Sequence, residues 1–401
     1  MRPPFGLAAG PGFAIYCNSF LYSCAGFDSM TEVVEINDLS ELAAYATVWR
    51  TLFLRMPRAT FFQTYAWLCA YWKHFGADQR LRVLLVYASG EPIGILPLVV
   101  RREQTRLGSF RVLTYPLADW GSYYGPIGSD GAATLAVGLR YLAQSRRDWD
   151  LLDLRWIEME AVDRGRTENA FRLAGMSSLV TPWKEISIVD LPNSWESYLE
   201  TRKPKFRQNV RRLIRRGETT GIEFVRYRPD AQPSGSVEES WSIFEECLDV
   251  AAKSWQGSSD SGTTLSHAAV QGYFRDTHEA ATRLGMLDIG YLLHEGKMVA
   301  FGYKYHHQGE IQAMRVGHDP AYQALGLGTL QYAHGIMDSI SLGQRRIDIG
   351  PNHLETKANW RTNLLMSYRI CHHSQWMMRA QALRLHRWLK FRRNPEPESL
   401  E

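Results

Sequence analysis

The chain has 401 residues, 45% of them hydrophobic and 22% charged, which suits two or three buried cores and excludes a disordered polymer. Its 46 Lys plus Arg against 42 Asp plus Glu leave a net charge of +4, which excludes a uniformly polybasic, histone-like protein. Five cysteines, at 17, 24, 69, 247 and 371, form no CxxC pair, so there is neither zinc-finger spacing nor a disulfide framework, and a reducing compartment is expected.

Residues 3–27 carry no charge but are broken by Pro3, Pro4, Pro11 and several glycines. A secretory leader needs a compact apolar run behind a basic end, and Arg2 followed by two prolines is a poor version of one. The expectation is an extension, residues 1–30, that is disordered or untranslated, with Met30 as the working start. A signal peptide is the alternative, and peptide mapping of the native N-terminus separates the two. No apolar run long enough to cross a membrane is free of charges and helix breakers.

A first strand is predicted at 31–36, then a helix at 39–54 capped by Asp38 and an aromatic helix at 62–75. Strands at 81–88 and 93–100 meet across Ser89-Gly90-Glu91-Pro92, a hairpin signal, and another strand near 110–115 leads into the aromatic loop 117–127. Helix 131–145, strand 150–155, helix 164–174 and strand 184–189 complete the first half. The second half opens on a basic helix at 202–216 and a strand at 222–228. Helices at 237–252 and 266–284 flank a Gly/Ser stretch at 256–264, and strands at 286–294, 297–307 and 310–318 follow. Helix 328–341, strands 345–349 and 365–373 and a helix at 376–391 end the series. Mixed strands and helices indicate α/β or α+β, and the same order occurring twice indicates two related domains joined near 180–195.

The segment with the most chemical content is Ile311–Leu330: a strand, a turn at Asp319-Pro320, then Gln323-x-x-Gly326-x-Gly328 opening a helix. Glycines let backbone approach a ligand, and free amides at a helix start bind a diphosphate. The segment is neither a P-loop nor GxGxxG, and a plain strand-to-helix turn is the competing reading. It resembles the pyrophosphate loop of the GNAT acyltransferases. The wider chain, over about residues 31 to 376, resembles the tandem-GNAT group that includes BioF2-like (CelD-type) acetyltransferases and Fem-type peptidoglycan aminoacyltransferases. Three further features carry the likeness: the basic helix from Arg202 to Arg216, the strand end Arg346-Ile-Asp-Ile-Gly350, and Lys357-x-x-Trp360. Thr356 stands where the family usually has Tyr, and the first half has no Gln-x-x-Gly-x-Gly; Asp119-Trp120…Tyr124-Gly125-Pro126 occupies that place.

The resemblance implies two tandem GNAT-like domains with mixed central sheets. Residues 31–185 would be a degenerate N-terminal domain, 186–376 the C-terminal acetyltransferase domain, and 377–401 a basic helix and tail. It further implies acetyl-CoA as cosubstrate, with backbone around Val316 and Gly317 polarising the acyl carbonyl and Gln323, Leu325, Gly326, Leu327, Gly328 and Thr329 forming the diphosphate loop. No Ser-His-Asp order or GxSxG elbow suggests a covalent intermediate, so direct transfer is expected. Asp348 and His318 are the candidate bases, although Asp348 also fits a turn cap after a core strand and His318 a turn closure. Lys357 would stabilise negative charge or hold a phosphate, with a solvated lysine as the alternative. Trp120 and Tyr124 would line an acceptor cleft, with Trp360 beside it. The pairs His306-His307 and His372-His373 alternate faces, so no metal site is expected.

Residues 202–216 carry eight basic side chains and no acid, residues 379–393 carry six, and the remainder therefore carries 4 − 14 = −10. An acidic body with two basic helices points to an anionic partner, with Arg207 and Arg211 as contacts. The expected acceptor is an anionic cell-envelope or exopolysaccharide precursor; tRNA is the partner under a Fem-type reading, and a non-catalytic binding module is a third. The expected location is the cytoplasm, with peripheral contact at the inner membrane face through the last helix.

Overall fold

Asp38 accepts a hydrogen bond from the Ser40 amide at 2.7 Å and caps the first helical stretch as its sequence position suggests. A computed structural model describes residues 30–231, 234, 237–259 and 262–393. The extension before Met30 and the tail after Arg393 lie outside the described residues. The first half runs β1 (Thr31–Ile36), α1 (Leu39–Leu42), α2 (Ala46–Arg55), α3 (Tyr65–Phe75), β2 (Arg80–Ala88), β3 (Glu91–Thr105), β4 (Gly108–Thr114), α4 (Gly131–Gln144), β5 (Leu151–Ile157), α5 (Arg166–Leu173) and β6 (Leu179–Asp190). The second half runs α6 (Trp195–Glu200), α7 (Pro204–Thr219), β7 (Ile222–Tyr227), α8 (Glu238–Lys253), α9 (Ala268–Arg283), β8 (Leu287–His294), β9 (Lys297–His307) and β10 (Glu310–His318). It ends with α10 (Leu327–Ser341), β11 (Arg346–Asp348), α11 (Leu354–Lys357), β12 (Asn363–His373) and α12 (Met378–Arg393). No helix among the described residues is long and apolar enough to cross a membrane.

Local chemistry explains the matching hairpins. Ser89-Gly90 and Glu295-Gly296 both have positive φ at each turn residue, which two-residue hairpins require and glycine tolerates best. The long predicted helix at 39–54 is interrupted by a 3-10 turn at Ala43–Tyr45, and the stretch from Pro320 to Leu325 is a 3-10 turn rather than open loop.

The two halves do not separate at residue 185. All described strands join one twelve-stranded sheet in the order β1-β2-β3-β4-β5-β12-β6-β11-β10-β9-β8-β7. The order is a palindrome with an exchange at its centre. β12 pairs with β5 of the first half, while β6 pairs with β11 of the second. The exchanged strands pair antiparallel with each other from Asn363↔Ile188 to Cys371↔Leu179. At the bulge between Ser367 and Tyr368, the buried Ser367 hydroxyl accepts from the Lys184 amide at 3.2 Å and donates to the Lys184 carbonyl at 2.9 Å. The expected domain junction therefore falls inside β6.

Charge locks the exchange. Asp153 on β5 is fully buried and takes Arg155 at 2.8 Å, Arg369 of β12, and Arg387 of α12 at 3.9 Å. Burial would raise its pKa, but the three guanidiniums hold it well below the usual carboxylate range. A second tie joins the flanking helices: Trp67 Nε1 donates to Tyr273 Oη at 2.9 Å, and His74 meets Asp276 at 2.6 Å. Phe61 and Tyr305 pack ring to ring at 4.3 Å, so the largest apolar core runs through both halves.

Asp153→Ala removes the carboxylate shared by three buried guanidiniums and is expected to cost about 3–5 kcal/mol, read from the urea midpoint. A fragment of residues 31–192 lacks β12 and leaves β5 with a bare edge. It is expected to aggregate when expressed alone and to give a soluble complex when co-expressed with residues 193–393, as size-exclusion chromatography would show.

Candidate active site

β10 and β11 pair in parallel for three residues only, Glu310↔Arg346, Ile311↔Ile347 and Gln312↔Asp348, and then part. A bulge between Ala313 and Arg315 inserts Met314 as an extra residue and resets the alternation of β10. Gln312 lies opposite Tyr305 and Arg315 opposite Tyr303, so Arg315 stays on the face that meets the first half. Past the bulge, the edge of β10 away from β9 has lost its strand partner. Gln256, from the segment after α8, donates its Nε2 to the Val316 carbonyl at 3.0 Å, and its Oε1 accepts from the Leu265 amide at 2.9 Å. The Val316 amide lies on the same edge as that carbonyl and points into the opening between the strands. Gly317 packs on Phe301, where an added Cβ would lie 2.6 Å from the ring.

Asp348 closes β11 on the face shared with Gln312 and Arg315. It is 7% exposed. Burial lifts its pKa to about 6, against hydrogen bonds from the Ser122 side chain and the Gly350 amide and the charge of Lys357. The Gly350 amide donates to Asp348 Oδ1 at 2.7 Å. Lys357, on α11, donates its Nζ to the Gly350 carbonyl at 3.2 Å. Its pKa falls to about 8 because burial and the Arg315 charge outweigh Asp348. Arg315 is itself pushed down to about 10 by burial; it bonds the Thr263 carbonyl at 2.8 Å and lies 5.8 Å from the Trp120 ring and 5.5 Å from Phe274.

Beside Asp348 a small cavity of about 50 Å³ lies between the halves, lined by Arg58, Ser122, Tyr123, Glu310, Gln312 and Arg346 among others. Arg58 reaches across to Glu310 at 2.8 Å and Glu158 at 3.4 Å. The hydroxyls of Tyr123 and Tyr124 and Gln312 Oε1 are buried there without a hydrogen-bond partner among the described residues. Such groups accommodate a polar ligand at lower cost than they tolerate an empty apolar wall.

At the far end of β10, Asp319 caps the 3-10 turn and Gly326 takes a left-handed conformation at φ 74°. An added Cβ there would lie 2.9 Å from Leu213 of α7, so this glycine serves both the turn and the close approach of the basic helix. Leu327 is buried, whereas Gly328 is exposed with open space where a side chain would stand. Gln323 is exposed, Leu325 half-buried, and the Thr329 amide is already bonded to the Gly326 carbonyl at 3.0 Å. Leu327 and Gly328 are the first two residues of α10, where a helix leaves its amides without intrahelical partners.

The other expected residues fall in several places. Trp120 is buried against Tyr273 at 4.4 Å and forms the wall above Arg315, while Tyr124 lines the small cavity. His318 stands opposite Ala300, on the α10 face of the sheet, whereas Asp348 is on the other face, so they do not act on one proton. Trp360 is corrected: it is 5% exposed and wedged between Phe206 of α7 and Tyr332 of α10, a core residue with no surface for an acceptor. Arg207 and Arg211 lie on the outer side of α7, where Arg207 reaches the Glu200 carbonyl and Arg211 pairs with Glu196 at 2.5 Å. Thr356 bonds the His353 carbonyl and caps its own turn. No group of three His, Cys, Asp or Glu among the described residues is arranged to hold a metal.

Sequence reasoning missed Ser122, Gln256, Gln312 and the side chain of Arg315 as parts of the site. Arg315 and Gln312 sat inside the segment already singled out, but only the bulge shows which residues share a face. Ser122 and Gln256 come from distant segments with no local signal.

An Asp348→Asn substitution tests the burial. A carboxyl whose folded pKa is raised loses stability on ionising as pH climbs from its unfolded value, 3.8, through about 6. The variant should therefore be more stable than the parent at pH 8 by on the order of 3 kcal/mol, with the gain vanishing below about pH 4, as denaturant midpoints at the two pH values would show.

Residues 204–358 match the acetyltransferase (GNAT) domain family. No curated protein matches the chain. Among solved structures, FemX superposes with a TM-score of 0.54 at 11% identity, over 91% of this chain and 100% of that one. A conserved protein of unknown function from Bacteroides thetaiotaomicron gives 0.50 at 16% identity, over 85% and 100%. L-PGS from Bacillus licheniformis gives 0.49 at 15% identity, over 82% and 97%. At such identities the likeness is one of fold. With a parted strand pair, a glycine-bearing helix start and the domain match all in its second half, residues 204–358 are similar to the acetyltransferase (GNAT) domain family, and the fold of the chain is similar to that of FemX.

Proposed function

We propose that the chain is an acyl-CoA-dependent acyltransferase of BioF2-like type, in its simplest form an acetyltransferase, acting in the cytoplasm on an amino or hydroxyl group of an anionic cell-envelope or exopolysaccharide precursor. The observation that carries this reading is the parting of β10 and β11 with Asp348 and Lys357 at its mouth. Acyl transfer needs a deprotonated nucleophile, a polarised carbonyl and a stabilised leaving thiolate. Asp348, with a pKa of about 6, is ionised at neutral pH and basic enough to take the acceptor's proton. The Val316 amide, on the unpaired edge, suits the carbonyl oxygen as negative charge develops on it. Lys357, with a pKa of about 8, is a cation at neutral pH that can steady charge on the tetrahedral intermediate or return a proton to the thiolate. The amides of Leu327 and Gly328 at the start of α10 suit a diphosphate, beside the turn against which α7 packs.

The first half has no equivalent opening. Its β4 stops at Thr114, and the loop that follows folds back: the Tyr124 amide bonds the Trp156 carbonyl at 3.0 Å, and Ile127 pairs with Ile95. Buried Leu117, Trp120 and Tyr124 fill the space, which supports a role as a wall of the acceptor cleft. The basic face of α7 also suits the phosphate backbone of a charged tRNA, the donor of a Fem-type reaction.

Calorimetry with acetyl-CoA, CoA and charged tRNA separates the donors. Gly328→Glu is the diagnostic variant, because it places a carboxylate in open space at the helix start; Gly326→Glu would also strike Leu213. Acetyl-CoA is expected to bind the parent and to bind the variant at least about tenfold more weakly. Binding of charged tRNA but not acetyl-CoA would transfer the assignment to the Fem-type reaction, and binding of neither donor would leave a non-catalytic module. In a steady-state assay, kcat/KM should rise through about pH 6 and fall through about pH 8. Asp348→Asn should lower kcat by about 10²–10⁴ and remove the acid limb, and Lys357→Gln should remove the alkaline limb.

A further inference from the structure

The cavity beside Asp348 has no positive charge to offer an anion. Its lining holds three guanidiniums, Arg58, Arg166 and Arg346, and three carboxylates, Glu158, Glu310 and Asp348. Arg58 is engaged by Glu310 at 2.8 Å and Glu158 at 3.4 Å, Arg346 by Asp190 at 2.9 Å, and Arg166 by Asp163 at 3.6 Å. With Asp163 and Asp190 counted, the carboxylates outnumber the guanidiniums five to three. A phosphate or carboxylate placed there would stand against like charge. The anionic part of an acceptor therefore stays outside.

What the wall asks for is set by its groups without a hydrogen-bond partner among the described residues. They are the hydroxyls of Tyr123 and Tyr124, Arg166 Nε and Gln312 Oε1. Tyr124 is 6% exposed and Gln312 7%, so both are shut off from bulk solvent. Burial, with the charges of Asp348 and Glu158, holds the Tyr123 hydroxyl well above its ordinary pKa and keeps it neutral. A tyrosine hydroxyl and a guanidinium N–H donate to an acceptor, whereas the Gln312 oxygen and the Asp348 carboxylate need a donor. An ammonium only donates, and would leave the first set unserved. A carboxylate only accepts, and would leave the second. A hydroxyl does both. The room, about 50 Å³, is that of about three water-sized groups, enough for one edge of a sugar ring but not the whole ring.

We propose that this cavity receives the uncharged, hydroxyl-bearing edge of a sugar ring, and that the acyl group is transferred to oxygen. On the acyl-CoA reading given above, on which this rests, the sugar oxygen bonds to the acyl carbon and its proton passes to Asp348. The carbon–sulfur bond breaks, and the thiolate takes a proton from Lys357. The full chain is tested with labelled acetyl-CoA and, as acceptors, the methyl glycosides of glucose, galactose and mannose beside n-butylamine. An ester, cleaved by neutral hydroxylamine, is expected from at least one glycoside, and no amide from butylamine. The pair Tyr123→Phe and Tyr124→Phe should raise KM for that glycoside about tenfold while leaving acetyl-CoA affinity and the urea midpoint unchanged. Amide formed from the amine, no ester from any glycoside, or an unaltered KM in the variant pair overturns the proposal. Calorimetry with acetyl-CoA keeps the two readings apart. If the donor binds and no ester forms, only the acceptor assignment fails, whereas a donor that does not bind removes the acyl-CoA reading itself.

Discussion

Each half of this protein closes its sheet with a strand lent by the other. β12 covers the edge of β5, and β6 covers the edge of β11, so neither half has a complete sheet without its partner. Edge strands left bare invite pairing with other chains, and the exchange removes two of them at the centre of the molecule. The cost is a seam that must be specific. Asp153 supplies that specificity by drawing in Arg155 from its own strand, Arg369 from β12 and Arg387 from α12. Removing one partner from such a buried group costs far more than the intact set contributes, which makes the seam intolerant of error rather than merely strong.

The same exchange builds the candidate site. β11 is only three residues long, and β6 holds it on the side away from β10. Being held from one side, it can part from β10 after Asp348 without fraying. The loop of the first half then reaches over, so that Ser122 bonds the carboxylate and Trp120 lies above Arg315. The two halves thus build the candidate site together. One contributes the opening, and the other contributes the lid that makes it dry enough to lift Asp348 and lower Lys357.

Those two shifts run against stability, as an ionised carboxylate and an ammonium are kept where water is scarce. They are also what brings both groups within reach of neutral pH. The Gly350 turn mediates between them, its amide on Asp348 and its carbonyl on Lys357.

Much of this was legible in the sequence. Periodicity and turn residues located nearly every strand and helix, because amphipathic spacing and positive-φ turns are local properties. The glycine pair at Gly326 and Gly328 and the carboxylate at Asp348 stood out for similar reasons: a helix start and a strand end have local signatures. What lay beyond sequence was every feature that depends on which edges meet. The strand exchange turned an apparent linker near 185 into the middle of β6. The bulge at Met314 decided that Arg315 shares a face with Asp348 and that His318 does not. Trp360 read as a site residue from its spacing, yet the packing of α7 against α10 made it core. The sequence by itself determined the elements and the chemistry they carry, since both follow from neighbours along the chain. Only the tertiary structure decided which groups are desolvated and which are brought together, because burial and strand pairing are set by residues more than a hundred positions apart.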